Sequence, residues 1–332
     1  MRAAVQSAFG GPAVVRVTDV PDPVVGDADV LVEVRAFGVA SGDVRVRAAR
    51  FPRGFGILGR LALGLRRPRH PILGTTAAGV ITRVGDAAAP WRVGERVLVS
   101  RGAAFGCHAE RLVVRSSGAI ARLPDELDFT TAAALPFGPG TALHFLERGA
   151  RLAAGERVLV NGASGAVGSA AVLFARATGA HVTAACRAAN ADWVRALGAH
   201  EVVVRETLGD LGVFEPLLAS IDVALDTTGD LDFAGLAARL APNGRLALVA
   251  ADLPTILSAL VRPRRAGRRV IVGVAPEGRD ALERIVDLWS SGAIVPPLER
   301  VFPFDEIAAA HAFVESGTKR GNVVVCVRER AR

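Results

Sequence analysis

The chemistry of this chain is most legible at Arg157–Gly168, where an apolar run breaks into Gly162, Ala163, Ser164, Gly165, Ala166, Val167 and Gly168 and a helical pattern starts at once. A helix that begins straight after a strand leaves its first backbone N–H groups unpaired, and these suit a phosphate. Gly165 lets the backbone approach a pyrophosphate, and Gly168 allows the helix to pack closely on the strand. Gly162, just before them, adds freedom at the turn. With a strand before it, a helix after it and a second strand beyond, this is a dinucleotide fingerprint of the form A-x-G-x-x-G.

Which dinucleotide it takes is decided about 20 residues further on, where NAD-dependent proteins usually place a carboxylate against the ribose 2′-hydroxyl. Here the second strand ends Ala184-Ala185-Cys186-Arg187. A guanidinium suits a 2′-phosphate and a carboxylate would repel it. Arg187 therefore points to NADPH (NADP+) as the cofactor.

These residues need a scaffold, and the pattern around them supplies one. Strand-like and helix-like stretches alternate from Val158 to Trp289, which implies an α/β doubly wound parallel sheet covered on both faces. The first 124 residues are different: short strands at Val14–Val17, Asp29–Phe37, Gly79–Val84 and Glu95–Ser100 are broken by Gly and Pro, as in a barrel. Strand texture returns at Leu298–Phe302 and Asn322–Val327, so the tail is expected to rejoin the first domain. The expected division is 1–124 with 293–332, and 125–292. Between Arg50 and His70 lies a Gly-, Leu- and Arg-rich segment with no clear period, read as a long loop that shapes a pocket.

Composition narrows the class. The chain has 332 residues, 51% hydrophobic and 22% charged, enough for two packed cores. No apolar run is long enough to span a membrane, and no basic segment leads into an apolar core. Cys107, Cys186 and Cys326 are odd in number and far apart, which fits a reducing cytoplasm. The net charge of +7 comes almost wholly from Arg, because Lys319 is the only lysine. The clusters Arg60, Arg66, Arg67, Arg69 and Arg262, Arg264, Arg265, Arg268, Arg269 have no interleaved aromatics. They read as solvated surface, with neither a nucleic-acid nor a membrane partner expected.

At this point the sequence resembles the zinc-independent, quinone-oxidoreductase branch of the medium-chain dehydrogenase/reductase superfamily. The likeness runs through Phe37–Asp43, Pro71–Gly79, Val93–Val97, Gly106–Glu110, Ala132–Ala142, Arg195–Ala199, Asp222–Gly229, and the tail from Val301 to Gly321. It implies a GroES-like β-barrel catalytic domain plus a Rossmann domain, with NADPH in the cleft between them. It also implies that Thr141 lies near the nicotinamide, that Asp226, Lys319 and Asn322 belong to the cofactor site, and that the chain forms a homodimer. The substrate it implies is a small-molecule quinone, enone or related carbonyl. Zinc-dependent relatives carry Cys in the first pocket loop and His-Glu in the second; here Ala40, Thr75 and Thr76 stand there. Without thiolate or imidazole, no metal site is expected.

Hydride transfer to an activated alkene asks the protein to orient the acceptor and to stabilise developing oxyanion charge. Ser41, Thr75 and Thr76 are the candidate catalytic donors. Tyrosine is absent from the chain, so a Tyr acid is excluded. Asp43 can orient a hydroxyl or simply cap a loop. Arg45 and Arg47 alternate as strand neighbours do and so would share a face. The histidines, His144 included, show no metal-ligand spacing. Two other readings stay open: a metal-free alcohol or ketone oxidoreductase, and a weakly catalytic protein that binds or senses NADPH.

Overall fold

The computed structural model describes residues 1–206, 212–214, 218–231, 233–261 and 267–327. Arg262, Arg264 and Arg265 of the second arginine cluster lie outside the described residues. Among the described residues, strands and helices sort into two layered units.

The first unit is antiparallel. Strands β1 (Arg2–Gln6) and β2 (Val15–Asp19) form a small ribbon. β3 (Asp29–Gly38) is the hub of the larger sheet, which also contains β4 (Thr76–Val84), β5 (Arg96–Ser100), β6 (Arg111–Arg115) and β7 (Ile120–Arg122). Along β3, Val30, Val32, Val34 and Ala36 are buried, the period of two expected of a strand with one face on a core. Two later strands complete this sheet: β14 (Leu298–Pro303) pairs in parallel with β15 (Asn322–Cys326), and β15 pairs antiparallel with β3. The tail thus returns to the first sheet.

The second unit is a parallel sheet of β8 (Arg157–Asn161), β9 (His181–Cys186), β10 (Glu201–Val204), β11 (Val223–Asp226), β12 (Arg245–Leu248) and β13 (Arg269–Val272). Their order is β10-β9-β8-β11-β12-β13, the doubly wound arrangement whose crevice opens at the carboxyl ends of the strands. β8, at the centre, is buried from Val158 to Asn161, as a strand covered on both faces must be.

Three helices connect these units to the site: α1 (Ser41–Ala48), α2 (Gly56–Leu63) and α3 (Phe129–Ala134). α4 (Gly138–Leu143) runs into a π-helical turn, His144–Ala150. α5 (Ala166–Thr178) follows β8 and ends at Gly179, whose φ of 82° gives the left-handed C-cap. α6 (Ala191–Ala196) links β9 to β10. The remaining helices are α7 (Phe233–Arg239), α8 (Leu253–Val261), α9 (Arg279–Ser290) and α10 (Ile307–Glu315).

Two expectations need correction. The segment Arg50–His70 is not all loop, because Gly56–Leu63 forms α2. That helix leaves Ile57, Leu58 and Leu61 exposed, so it has no buried stripe and its sequence shows no clear period. Residues Ser41–Ala48 are helical, so Arg45 and Arg47 do not share a face. Arg45 is exposed, whereas Arg47 is buried and pairs with Glu315 on α10 at 2.6 Å. Among the described residues, no helix is long and apolar enough to cross a membrane.

The packing of α5 on β8 depends on Gly168. A Cβ there would lie 2.2 Å from the Gly162 carbonyl oxygen and 2.7 Å from Ala163 Cα, both backbone atoms. Gly168→Ala should therefore force α5 off the strand and cost about 1–3 kcal/mol, the usual range for overpacking. A lower denaturant midpoint with normal yield is expected; an unchanged midpoint would mean that the helix is free to shift.

Candidate active site

The Gly-rich turn is fixed from three sides by backbone hydrogen bonds. Gly162 and Ala163 N–H groups both donate to the Ala185 carbonyl at the end of β9, at 3.1 and 3.0 Å. Gly321 N–H donates to the Ser164 carbonyl at 2.9 Å, so the tail is tied directly to the turn. Gly138, at the start of α4, packs so closely that a Cβ would meet the Ala166 carbonyl oxygen at 2.6 Å. Gly165 is different. It is the N-cap of α5, and a Cβ there would meet nothing nearer than Gly162 O at 3.5 Å. The protein itself leaves that space open, at the positive end of a helix dipole.

That opening faces a cleft of 370 Å³ lined by Ser41, Arg45, Phe137, Thr141, Gly165, Ala166, Val167, Thr227, Glu277 and Lys319, among others. A second cavity of 570 Å³ adjoins it and shares Ser41, Arg45, Ala250 and Val314. A narrow pocket beside them brings together Asp43, Thr75, Thr76, Phe137, Ala166, Lys319 and Asn322. The structure thus gathers Ser41, Thr75, Thr76, Thr141, Gly165, Ala166, Val167, Lys319 and Asn322 around the cleft and the narrow pocket, which share Phe137, Ala166 and Lys319. The Ser164 hydroxyl accepts from Asn190 Nδ2 at 3.1 Å. Gly162 and Gly168 lie behind the turn and shape it, and Ala163 is fully buried.

Arg187 lies apart from that group, whereas Asp226 lines the adjoining 570 Å³ cavity. Asp226 is 2% exposed at the end of β11, where Oδ1 accepts from Asn161 Nδ2 at 2.9 Å, from Thr228 N at 3.0 Å and from Thr228 Oγ1 at 2.7 Å. It holds the loop that carries Thr227 and Thr228, while Arg205 pairs with Asp230 at 2.8 Å further along. Arg187 stands exposed just past β9, and no ion pair holds it among the described residues.

The charged groups of the site are shifted in opposite directions. Burial draws the Lys319 ammonium down to about 8, with only the Glu299 carboxylate opposing it, and Nζ donates to the Gly321 carbonyl at 2.8 Å. Burial lifts the Glu277 carboxyl above the usual carboxylate range. The Ser100 hydroxyl, which donates to Glu277 Oε2, opposes that shift, and Asp43 adds to it. Asp43 is also lifted by burial, against the pull of His108 and the Ala40 N–H, which donates to Oδ2 at 2.8 Å. Asp43 therefore caps α1. His108 is fully buried, its Nε2 bonded to the Gly38 carbonyl at 3.2 Å, and burial disfavours its charged form.

Glu277 and Ser100 were not among the residues expected from sequence. The available signal was weak: Glu277 follows Pro276 just beyond β13, at the carboxyl edge of the sheet that carries the turn. Ser100 closes β5 opposite Thr76 in register.

Known proteins match this geometry. An alcohol dehydrogenase GroES-like domain matches residues 26–125, and a zinc-binding dehydrogenase domain matches residues 197–325. Human quinone oxidoreductase is 28% identical over 331 residues, covering 96% of this chain and 95% of the human protein. The quinone oxidoreductase of Coxiella burnetii superposes with a TM-score of 0.85 at 24% identity and covers 99% of both chains, which speaks to the fold. A mycobacterial protein solved with NADPH superposes with a TM-score of 0.80 at 25% identity, covering 98% of this chain and 100% of its own. With a GroES-like domain, a Rossmann-like parallel sheet and a nicotinamide-dinucleotide cleft between them, the chain belongs to the medium-chain dehydrogenase/reductase superfamily and is quinone oxidoreductase-like.

Proposed function

We propose that this chain is an NADPH-dependent reductase that delivers hydride, without zinc, to a small apolar quinone or α,β-unsaturated carbonyl. The observation that carries the reading is the open space at Gly165, where a capless helix N-terminus meets the cleft beside Lys319. Glycine, helix dipole and ammonium together make an anion cradle sized for a pyrophosphate.

When bound, the reduced nicotinamide supplies the hydride. The rest falls to this chain. Gly162–Gly168 and Ser164 hold the phosphates, Lys319 adds positive charge, and Asn322 and Thr141 border the ring site. Asp226 acts at one remove, by fixing the loop with Thr227 and Thr228. Arg187, exposed just past β9, is the residue assigned to a 2′-phosphate on the chemistry of its guanidinium. Ser41, Thr75 and Thr76 are the hydroxyl donors available to an acceptor's carbonyl oxygen.

The residues at the metal-ligand positions support a zinc-free reaction. Ala40, Thr75 and Thr76 offer neither thiolate nor imidazole. Nearby, Cys107 is fully buried and burial raises its thiol pKa, while His108 is committed to Gly38. An enone or quinone carries its own electron sink, so it needs less polarisation than a simple ketone.

Purified protein should oxidise NADPH in the presence of quinones or enones, with NADH slower, and prior incubation with a chelator should leave the rate unchanged. Loss of turnover with the chelator, restored by zinc, would refute the metal-free reading. Gly165→Val should abolish cofactor binding while leaving the melting temperature near wild type, because the new side chain fills ligand space alone; retained affinity would move the site elsewhere. Arg187→Asp should weaken NADPH by roughly 10–100-fold, as for a lost charge-assisted pair of about 1.5–3 kcal/mol. NADH should change little, and equal losses for both would remove the basis for NADP preference.

A further inference from the structure

We propose that Glu277 is the proton donor of the cleft and that Ser100 positions it. The inference rests on the reductase reading and supplies the group that reading lacks. Hydride addition to an enone or quinone leaves an enolate or aryl oxide, which must gain one proton. The chain has no tyrosine to give it.

Among the residues lining the 370 Å³ cleft, Glu277 and Lys319 are the side chains acidic enough to donate near neutral pH. The Ser41, Thr141 and Thr227 hydroxyls are far weaker acids. Lys319 is turned to the Gly321 carbonyl and sits beside the phosphate cradle. Glu277 approaches from the segment after β13, on the side of the barrel strands. Its Oε2 is held by Ser100 Oγ, which itself accepts from Gly102 N at 3.3 Å. Ser100 is 4% exposed, so this relay is fixed in the wall of the cleft and Oε1 remains for an acceptor.

The surroundings favour a carboxyl that keeps its proton. Asp43 and Arg45 face this region from α1, Arg101 and Cys107 from the segment after β5, Lys319 from the tail, and Arg279 from Glu277's own segment. Asp43 and burial raise the carboxyl, and Ser100 lowers it. Arg279 is occupied with the Ser116 carbonyl and the Trp91 ring.

The step balances. Hydride forms a C–H bond at the β-carbon, and the alkene π pair moves to make the enolate. The Glu277 O–H bond then breaks, and its proton forms the α C–H bond (or a phenolic O–H bond for a quinone). The electron pair stays on the carboxylate, which Ser100 Oγ–H stabilises, and solvent returns one proton. Each turnover consumes one hydride and one proton.

Glu277→Gln should lower kcat roughly 100-fold or more. NADPH affinity and melting temperature should stay near wild type. In wild type, kcat should fall as pH rises through the elevated carboxyl pKa, and that limb should vanish in Glu277→Gln. Ser100→Ala removes a donor to the carboxylate, so the limb should move to higher pH. A readout independent of turnover is the infrared carboxylic-acid band of the cofactor-free protein. Its Glu277 component, isolated as the wild-type minus Glu277→Gln difference, should titrate above the ordinary carboxylate range and shift upward in Ser100→Ala, while the Asp43 carboxyl, also raised by burial, is present in both proteins. If Glu277→Gln does not fold, Glu277→Asp, which keeps the acid and shortens its reach, should retain the limb at reduced kcat. A variant with wild-type kcat and an intact limb, or a wild type without the elevated band, overturns the proposal. Wild type that turns over no acceptor but shows the band and its Ser100→Ala shift overturns the reductase reading instead.

Discussion

The Gly-rich turn and the tail touch through backbone alone, and the rest of the site depends on that contact. Gly321 N–H bonds to the Ser164 carbonyl, and Gly165 and Gly321 form an isolated parallel bridge. Gly138 presses on the Ala166 carbonyl from the other side. With no side chains between them, the three segments have little room to adjust. The separation of parallel sheet and barrel is thereby set by a hydrogen bond at the Gly-rich turn proposed to hold the dinucleotide. The core continues the constraint: one buried cluster joins Ala36, Ala78, Leu98 and Val324 of the barrel sheet to Val158, Val160 and Val182 of the parallel sheet. An interface this apolar and close-packed resists sliding. The substrate side can therefore vary while the cofactor geometry is kept.

Sequence and structure agree where the determining interactions are local. The strand–turn–helix at β8 and α5 was legible because each glycine acts within a few residues of itself, and Gly179 ends the helix for the same reason. The tail strands were legible from period and turn residues. Local pattern misled at Ser41–Ala48, where Arg45, Val46 and Arg47 alternate as a strand would. The Asp43 carboxylate caps the segment and turns it into a helix, sending Arg45 toward the cleft and Arg47 into the core. The segment Arg50–His70 hid α2 because its exposed apolar residues give no amphipathic stripe. Glu277 and Ser100 could not be paired from sequence at all: they are separated by 177 residues, Ser100 at the end of β5 and Glu277 in the segment after β13. A carboxyl takes on a function there only once the fold has brought a hydroxyl to it.

The proposed zinc-free reaction also bears on what the cleft can use for charge. A bound cation would dominate the local field and set the protonation of its neighbours. With Ala40, Thr75 and Thr76 at the metal-ligand positions, burial sets the protonation instead. It pushes Lys319 down and Glu277 up, and both shifts move toward the neutral form. Lys319, at about 8, keeps most of its charge near neutral pH, and the Glu277 carboxyl is shifted toward the protonated form that a donor needs.

The two shifts also give the proposed proton transfer an order in time. In the proposed reaction an uncharged reduced nicotinamide and its phosphates would add to the burial and the Asp43 charge that already shift Glu277 toward its protonated form. An oxidised, cationic cofactor held in the same cleft would act on Glu277 in the opposite direction, because the cleft screens poorly. A nearby positive charge lowers a carboxyl's pKa, and an enolate beside it is a ready acceptor. The same residue is thus a weak acid before hydride transfer and a stronger one after it. Ser100 stabilises the carboxylate only once it has formed, because a hydroxyl donor bonds more strongly to an ionised oxygen than to a neutral one.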